Sequence, residues 1–200
     1  MADRVRVSGG KAERLTGGEY ARAPASWSPD GQTLAFVETH PETGTDIWML
    51  PLNGDRTPKP WLRTKASESY PAFSPDGRWL AYSSNESGRS EVYVQPVSGT
   101  GEKWLVSLSG GTQPVWSRDG KELFYQHGDE FVAIPVTTRP SFTKGTASVL
   151  FRKQFDRSTY DIGLDGRLLF VDVIESTTPT DLRVIVNWFD ELKRLAPDRR

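Results

Sequence analysis

Four aspartates recur along this 200-residue chain: Asp30, Asp76, Asp119 and Asp165. If a fold gathered them around an axis, such carboxylates could collect a cation of the calcium class. Each Asp is followed by Gly, and each pair lies between apolar runs. That is the chemistry of a tight turn, with Asp bonding its local backbone and Gly accepting a positive φ. The turn accounts for every copy without a ligand, so no metal site is assigned. The two histidines stand apart, His40 in VETHPETGTD and His127 in QHGDE. Neither has a partner at metal-ligand spacing on a shared helix, and both read as surface-loop residues. No G-x-S-x-G elbow occurs. The glycine pairs at 9–10, 17–18 and 110–111 fall in turns and do not open helices, so they are not phosphate loops. Cysteine is absent, which excludes disulfides and thiol chemistry. The expectation is a chain without catalytic residues, metal or cofactor.

The aspartates belong to a repeat. Trp27-Ser28-Pro29-Asp30-Gly31 returns as Phe73-Ser74-Pro75-Asp76-Gly77 and as Trp116-Ser117-Arg118-Asp119-Gly120. A degenerate fourth copy is Ile162-Gly163-Leu164-Asp165-Gly166. The aromatic position advances by 46, then 43, then 46 residues, close to the length of a four-stranded propeller blade. An apolar strand follows each turn: Leu34-Ala35-Phe36, Leu80-Ala81-Tyr82, Leu123-Phe124-Tyr125 and Leu168-Leu169-Phe170. A third strand comes next, as DIWMLPL (46–52), EVYVQPV (91–97), EFVAIPV (130–136) and DLRVIVNW (181–188). A fourth is read in PWLRT (60–64), KWLVS (103–107) and SVLFRK (148–153). Both faces of these strands are apolar, which suits a sheet stacked between other sheets. Trp27, Phe73 and Trp116 are therefore expected in the core between blades.

The fold class read from this pattern is an all-β β-propeller of four-stranded antiparallel sheets, with four blades or as part of a six-bladed ring. Residues 4–18 supply two strands of an incomplete blade. Blades are expected at about 19–65, 66–108, 109–153 and 154–188, with a short C-terminal helix over 189–196 stopped by Pro197. Two closures remain open. The chain is the C-terminal part of a longer propeller, which is the favoured reading, or residues 11–16 complete the last blade of a four-bladed ring. An open fragment would expose a blade face and self-associate through it.

Composition narrows the function. The chain carries 25 Lys and Arg against 26 Asp and Glu, scattered without a basic block, so nothing favours nucleic acid or an anionic membrane surface. No apolar run is long enough to cross a membrane as a helix. Aromatics make up 11%, with seven Trp, which argues for a packed fold. Composition does not choose a compartment.

The repeat W/F-S-P-D-G-x-x-L-A-F/Y, followed by D/E-I/V-W/Y and Pro-aliphatic, resembles the TolB-type, WD-like propeller repeat of bacteria over about residues 4–188. The ending Val186-Asn187-Trp188-Phe189-Asp190-Glu191-Leu192-Lys193 resembles that of bacterial proteins whose propellers follow a serine/threonine kinase or DNA-binding regulatory domain. The resemblance implies a docking module for protein or peptide, belonging to a larger protein. Alternatives are an accessory propeller of an enzyme (an upstream kinase, or a peptidase) and a structural half-propeller acting as an oligomer. Strand beginnings converge at the mouth of a propeller's channel, so Arg22, Tyr70, Gln113 and Tyr160 are the candidate binding residues.

Overall fold

The computed structural model describes residues 2–4, 13–153, 160–163, 167–171 and 184–185. The expected helix at 189–196 and the fourth Asp-Gly turn lie outside them. Every described element is a strand. β1 (Ala2–Arg4) and β2 (Glu13–Thr16) form an antiparallel pair. Blade I follows in the order β3 (Arg22–Trp27), β4 (Thr33–His40), β5 (Gly44–Pro51), β6 (Lys59–Leu62). Blade II contains β7 (Glu68–Phe73), β8 (Trp79–Ser84), β9 (Glu91–Pro96) and β10 (Trp104–Leu105). Blade III contains β11 (Thr112–Trp116), β12 (Glu122–His127) and β13 (Glu130–Thr137), followed by the short β14 (Thr143–Lys144) and β15 (Ser148–Arg152), both paired to β13. Blade IV shows β16 (Tyr160–Ile162), β17 (Leu168–Val171) and β18 (Val184–Ile185). Neighbouring strands pair antiparallel throughout, in chain order except for β15 on β13, as in a propeller blade.

Period-two alternation sends successive residues of one strand to opposite faces. In β4, Leu34 and Phe36 join Leu15, Leu50 and Leu52 on the side of β2. Ala35 turns the other way and meets Phe73, Leu80 and Tyr82 of blade II. The same division repeats in β8, where Trp79 and Ala81 face Trp116, Leu123 and Tyr125 of blade III. In β12, Phe124 faces Tyr160, Ile162 and Phe170 of blade IV. No blade buries both of its faces alone, so the core is a series of apolar layers between blades.

One aromatic departs from expectation. Phe73 and Trp116 are buried in these layers, but Trp27 is 46% exposed. Trp27 pairs with Leu34, whose face looks toward β2. Among the described residues no inner strand stands before β3, so nothing lies where Phe73 finds blade I or Trp116 finds blade II.

The repeated turn is one hydrogen-bond network built three times. The Ser28, Ser74 and Ser117 hydroxyls donate to Oδ1 of Asp30, Asp76 and Asp119 at 2.6, 2.7 and 2.8 Å. The same Asp oxygens accept from the backbone N–H groups of Gln32, Arg78 and Lys121. Gly31, Gly77 and Gly120 take φ of 68°, 70° and 70°, a region that L-residues adopt at a cost. Adjacent turns also nest, because Pro29 lies against Gly77 and Pro75 against Gly120. Arg118 replaces proline in the third copy, and its guanidinium reaches the Ile162 carbonyl of blade IV at 3.0 Å.

These bonds hold the Asp30 and Asp119 carboxyls below the usual range, through Ser28 and Ser117 first and the backbone N–H groups next. Burial pushes Asp76 up, but Ser74, the Arg78 N–H, Thr138 and Arg139 outweigh it and the net direction is down. Asp76→Ala loses two bonds and should cost about 1–2 kcal/mol at neutral pH. A group with a depressed folded pKa contributes stability above its unfolded pKa, and that contribution is lost as pH falls through the folded one. Melting curves of Asp76→Ala and wild type should therefore converge in strong acid; a gap independent of pH would contradict this account.

Candidate functional site

The innermost strands β3, β7, β11 and β16 surround a cavity of about 1040 Å³. Its shape follows from an irregularity that all three complete blades share. The β7–β8 ladder steps from Ser69↔Ser83 to Ala72↔Ala81, so Tyr70 and Pro71 together oppose one residue. The β11–β12 ladder does the same from Thr112↔Gln126 to Val115↔Phe124, around Gln113 and Pro114. In β3 the extra residue is Ala25, between Pro24↔Phe36 and Ser26↔Ala35. Proline has no N–H to give the ladder and disfavours the helical region for its predecessor, so the Tyr70-Pro71 and Gln113-Pro114 pairs interrupt their ladders, whereas in β3 the extra residue follows Pro24. Tyr70 and Gln113 adopt φ of 52° and 56°, the left-handed region, at a cost of about 1–3 kcal/mol each.

Three of the four candidate residues meet here. Tyr70, Gln113 and Tyr160 all line the cavity; Arg22 is not among its lining residues. Tyr70 is 49% exposed. Gln113 is held from both sides: its N–H donates to the Ser83 hydroxyl at 3.1 Å, and its carbonyl accepts from the Tyr160 hydroxyl. Tyr160 is buried against Phe131 and Phe170, and burial pushes its phenol up. It therefore serves as a neutral donor that ties blade IV to blade III. Arg22 works outside the cavity. It pairs with the buried Glu38 at 2.6 Å, reaches Thr16 and the Gly17 carbonyl, and lies 5.5 Å from the centre of the Phe36 ring. These contacts bind β2 to blade I.

Other cavity walls come from Pro24, Pro71 and Pro114, with Trp27, Val115 and Trp116. The prolines were missed as site residues although their signal is plain: APASW, YPAF and QPVW place Pro two or three residues before each motif aromatic. The chemistry of this surface is apolar and aromatic, with Arg118 and Asp161 as charged groups on the lining. It offers stacking and shape, and brings no nucleophile beside a base among its lining residues. His40 sits edge-on to Tyr20 at 4.6 Å, and His127 Nδ1 lies 3.2 Å from Glu130. Both histidines end second strands and are absent from the lining.

Residues 5–159 match the family described as the TolB beta propeller domain. Among curated proteins, "Tricorn protease homolog 1" of Streptomyces coelicolor is 34% identical over 109 residues, which is 52% of this chain and 9% of that protein. "Dipeptidyl-peptidase 5" of Trichophyton schoenleinii is 28% identical over 153 residues, 61% of this chain and 21% of that protein. The chain thus spans about a fifth or less of the length of these two relatives. Among solved structures, the putative TolB of Agrobacterium tumefaciens superposes with a TM-score of 0.58 at 19% identity, covering 72% of this chain and 53% of that one. The structure described as a nidogen/laminin complex also gives 0.58, at 12% identity, over 85% and 66%. These two likenesses concern the fold.

Proposed function

Since the chain belongs to the TolB beta-propeller family, we propose that it is a non-catalytic propeller module that takes an extended polypeptide at its channel mouth, as the accessory propeller of a larger peptidase. The cavity of about 1040 Å³ between the inner strands carries this reading, because its apolar and aromatic walls suit peptide side chains. The peptidase setting is supported by the printed names of the relatives reported above. They favour it over the upstream kinase that the ending at 186–193 suggests, and that ending lies outside the described residues. In this role the propeller presents or admits chain segments, while bond cleavage belongs to another domain.

Tyr70 provides the test. Tyr70→Gly removes the exposed ring, and it also relieves a left-handed φ that tyrosine adopts unwillingly. The variant should hold its melting temperature within about 2 °C of wild type or exceed it, given a few °C per kcal/mol for a chain of this size. Its affinity for fluorescein-labelled, proline- and leucine-rich unstructured peptides should fall about tenfold, as expected for a lost aromatic anchor. Fluorescence anisotropy measures this. Equal affinity for both chains, or no binding by wild type, would remove the channel mouth from consideration.

A further inference from the structure

Blades I and II each bring a buried acid to their shared interface, and each acid has one oxygen without a hydrogen-bond partner. Asp46 on β5 and Glu68 at the start of β7 are each 0% exposed. Thr43 donates to Asp46 Oδ2 at 2.6 Å, and Thr64 donates to Glu68 Oε1 at 2.5 Å. The remaining oxygens, Asp46 Oδ1 and Glu68 Oε2, are buried and have no hydrogen-bond partner. Arg63 Nε stands 3.6 Å from Asp46 Oδ2, on a side chain 39% exposed. Leaving two buried carboxylates ionised with one partly solvated cation nearby is costly.

The repeat supplies an internal control. An acid stands at or near the start of the third strand in each complete blade, as Asp46, Glu91 and Glu130. Glu91 is fully provided for: Arg89 pairs with it at 2.6 Å, the Ser107 hydroxyl donates to it, and the Gly110 N–H reaches it at 3.0 Å. Burial raises the Glu91 pKa, but these bonds outweigh it and hold the carboxyl below its usual range. Thr64 and Ser107 are equivalent, each three residues after a fourth-strand Trp (Trp61, Trp104). In the next interface that hydroxyl serves the third-strand acid. Here Glu68 has taken it, and Asp46 Oδ1 is left over. Glu68 itself stands where blade III has Gly111, the residue before the paired Thr112. A side chain at Gly111 would strike Ser107, whereas at this interface a second acid is built in.

We propose that Asp46 and Glu68 share one proton across the interface of blades I and II, a carboxyl–carboxylate joint that loosens the channel mouth as pH rises. A proton on Glu68 lets Oε2 donate to Asp46 Oδ1, which satisfies both orphaned atoms at once and removes one buried charge. Among the described residues no three His, Cys, Asp or Glu converge as a metal centre would need. The joint borders the channel, because Thr45 and Ser69, its chain neighbours, line the cavity. The other groups bearing on it are Arg63 just past β6, Tyr82 on β8, and Glu86 just past β8, itself paired with Lys103 at 2.5 Å. Burial first, then the Asp46 and Glu86 charges, push the Glu68 carboxyl up from 4.5 to about 7 against the opposing Thr64 bond. The folded chain therefore keeps a proton that the unfolded chain has released between those values. The joint is strongest below pH 4.5, and its stability is lost as pH rises toward 7.

Glu68→Gln tests this in the full chain, because an amide can donate to Asp46 at every pH. The variant should melt with wild type near pH 4.5 and about 5 °C or more above it at pH 8, the gap opening between those values. The carboxyl 13C resonance of Glu68 in wild type should titrate near 7 and move lower in Asp46→Asn, a readout independent of the Gln variant's folding. A Glu68 titration near 4.5 would overturn the proposal. So would a gap that does not change with pH. If calcium raises the melting temperature of wild type at pH 8 but not that of Glu68→Gln, the pair holds a cation and the shared-proton assignment fails.

Discussion

Phe142→Ala is expected to destabilise the chain by about 3–5 kcal/mol, the usual cost of truncating a buried aromatic. Phe142 is 0% exposed and belongs to blade III by sequence, yet it packs into the core between blades II and III. Its ring meets Trp79 at 5.5 Å, Trp104 at 5.8 Å and Trp116 at 6.3 Å. The segment carrying it is strapped to blade II at both ends. Arg78 and the Trp79 indole both donate to the Thr138 carbonyl at 3.1 Å, and Lys144 donates to the Leu105 and Val106 carbonyls. With the backbone tethered this way, the walls are poorly placed to collapse into the space the ring leaves. That puts Phe142→Ala toward the upper part of the range. Urea denaturation followed by Trp fluorescence should show a lower midpoint at an unchanged slope. Phe142→Leu, which keeps most of the volume, should cost less than half as much. A loss under about 1 kcal/mol for the alanine variant would mean that the ring does not wedge the two blades together.

This wedge marks the boundary of what the residues disclose on their own. Turn, strand and blade repeat together with period 43–46, so every copy reinforces the others and the propeller is legible. The segment 138–147 occurs in one blade only. Periodicity says nothing about it, and a lone Phe after Arg139-Pro140-Ser141 reads as loop. The same limit explains Arg22. Proximity to a strand start marks it as a rim residue, but which way its side chain runs depends on Glu38, sixteen residues away across the ladder. The left-handed backbone at Tyr70 and Gln113 could have been suspected, since a bulky residue before Pro in an inner strand has few comfortable conformations. The Asp46 and Glu68 pair was legible only in part. The acid at or near the start of each third strand is visible in the repeat, whereas its approach to a first-strand acid depends on how neighbouring blades dock.

Trp116→Ala should cost about 3–5 kcal/mol and Trp27→Ala no more than about 1 kcal/mol, although both occupy the same position of the repeated motif. Trp116 is 5% exposed, lies against Ala72 and Phe142, and donates its indole N–H to the Ala72 carbonyl at 3.0 Å. Its removal opens a cavity between two blades and also takes away this hydrogen bond. Trp27 keeps nearly half of its surface in solvent, so little burial is lost with it. The two contributions at Trp116 can be separated. Trp116→Phe preserves most of the packing but not the donor, and should lose about 0.5–1.5 kcal/mol for the missing hydrogen bond to Ala72. The remainder of the alanine cost is then the cavity. If Trp27→Ala proves as damaging as Trp116→Ala, Trp27 is covered in solution by something that fills the place of a preceding blade, such as a second copy of this chain. Sedimentation of the wild-type chain would decide whether that cover is a second copy.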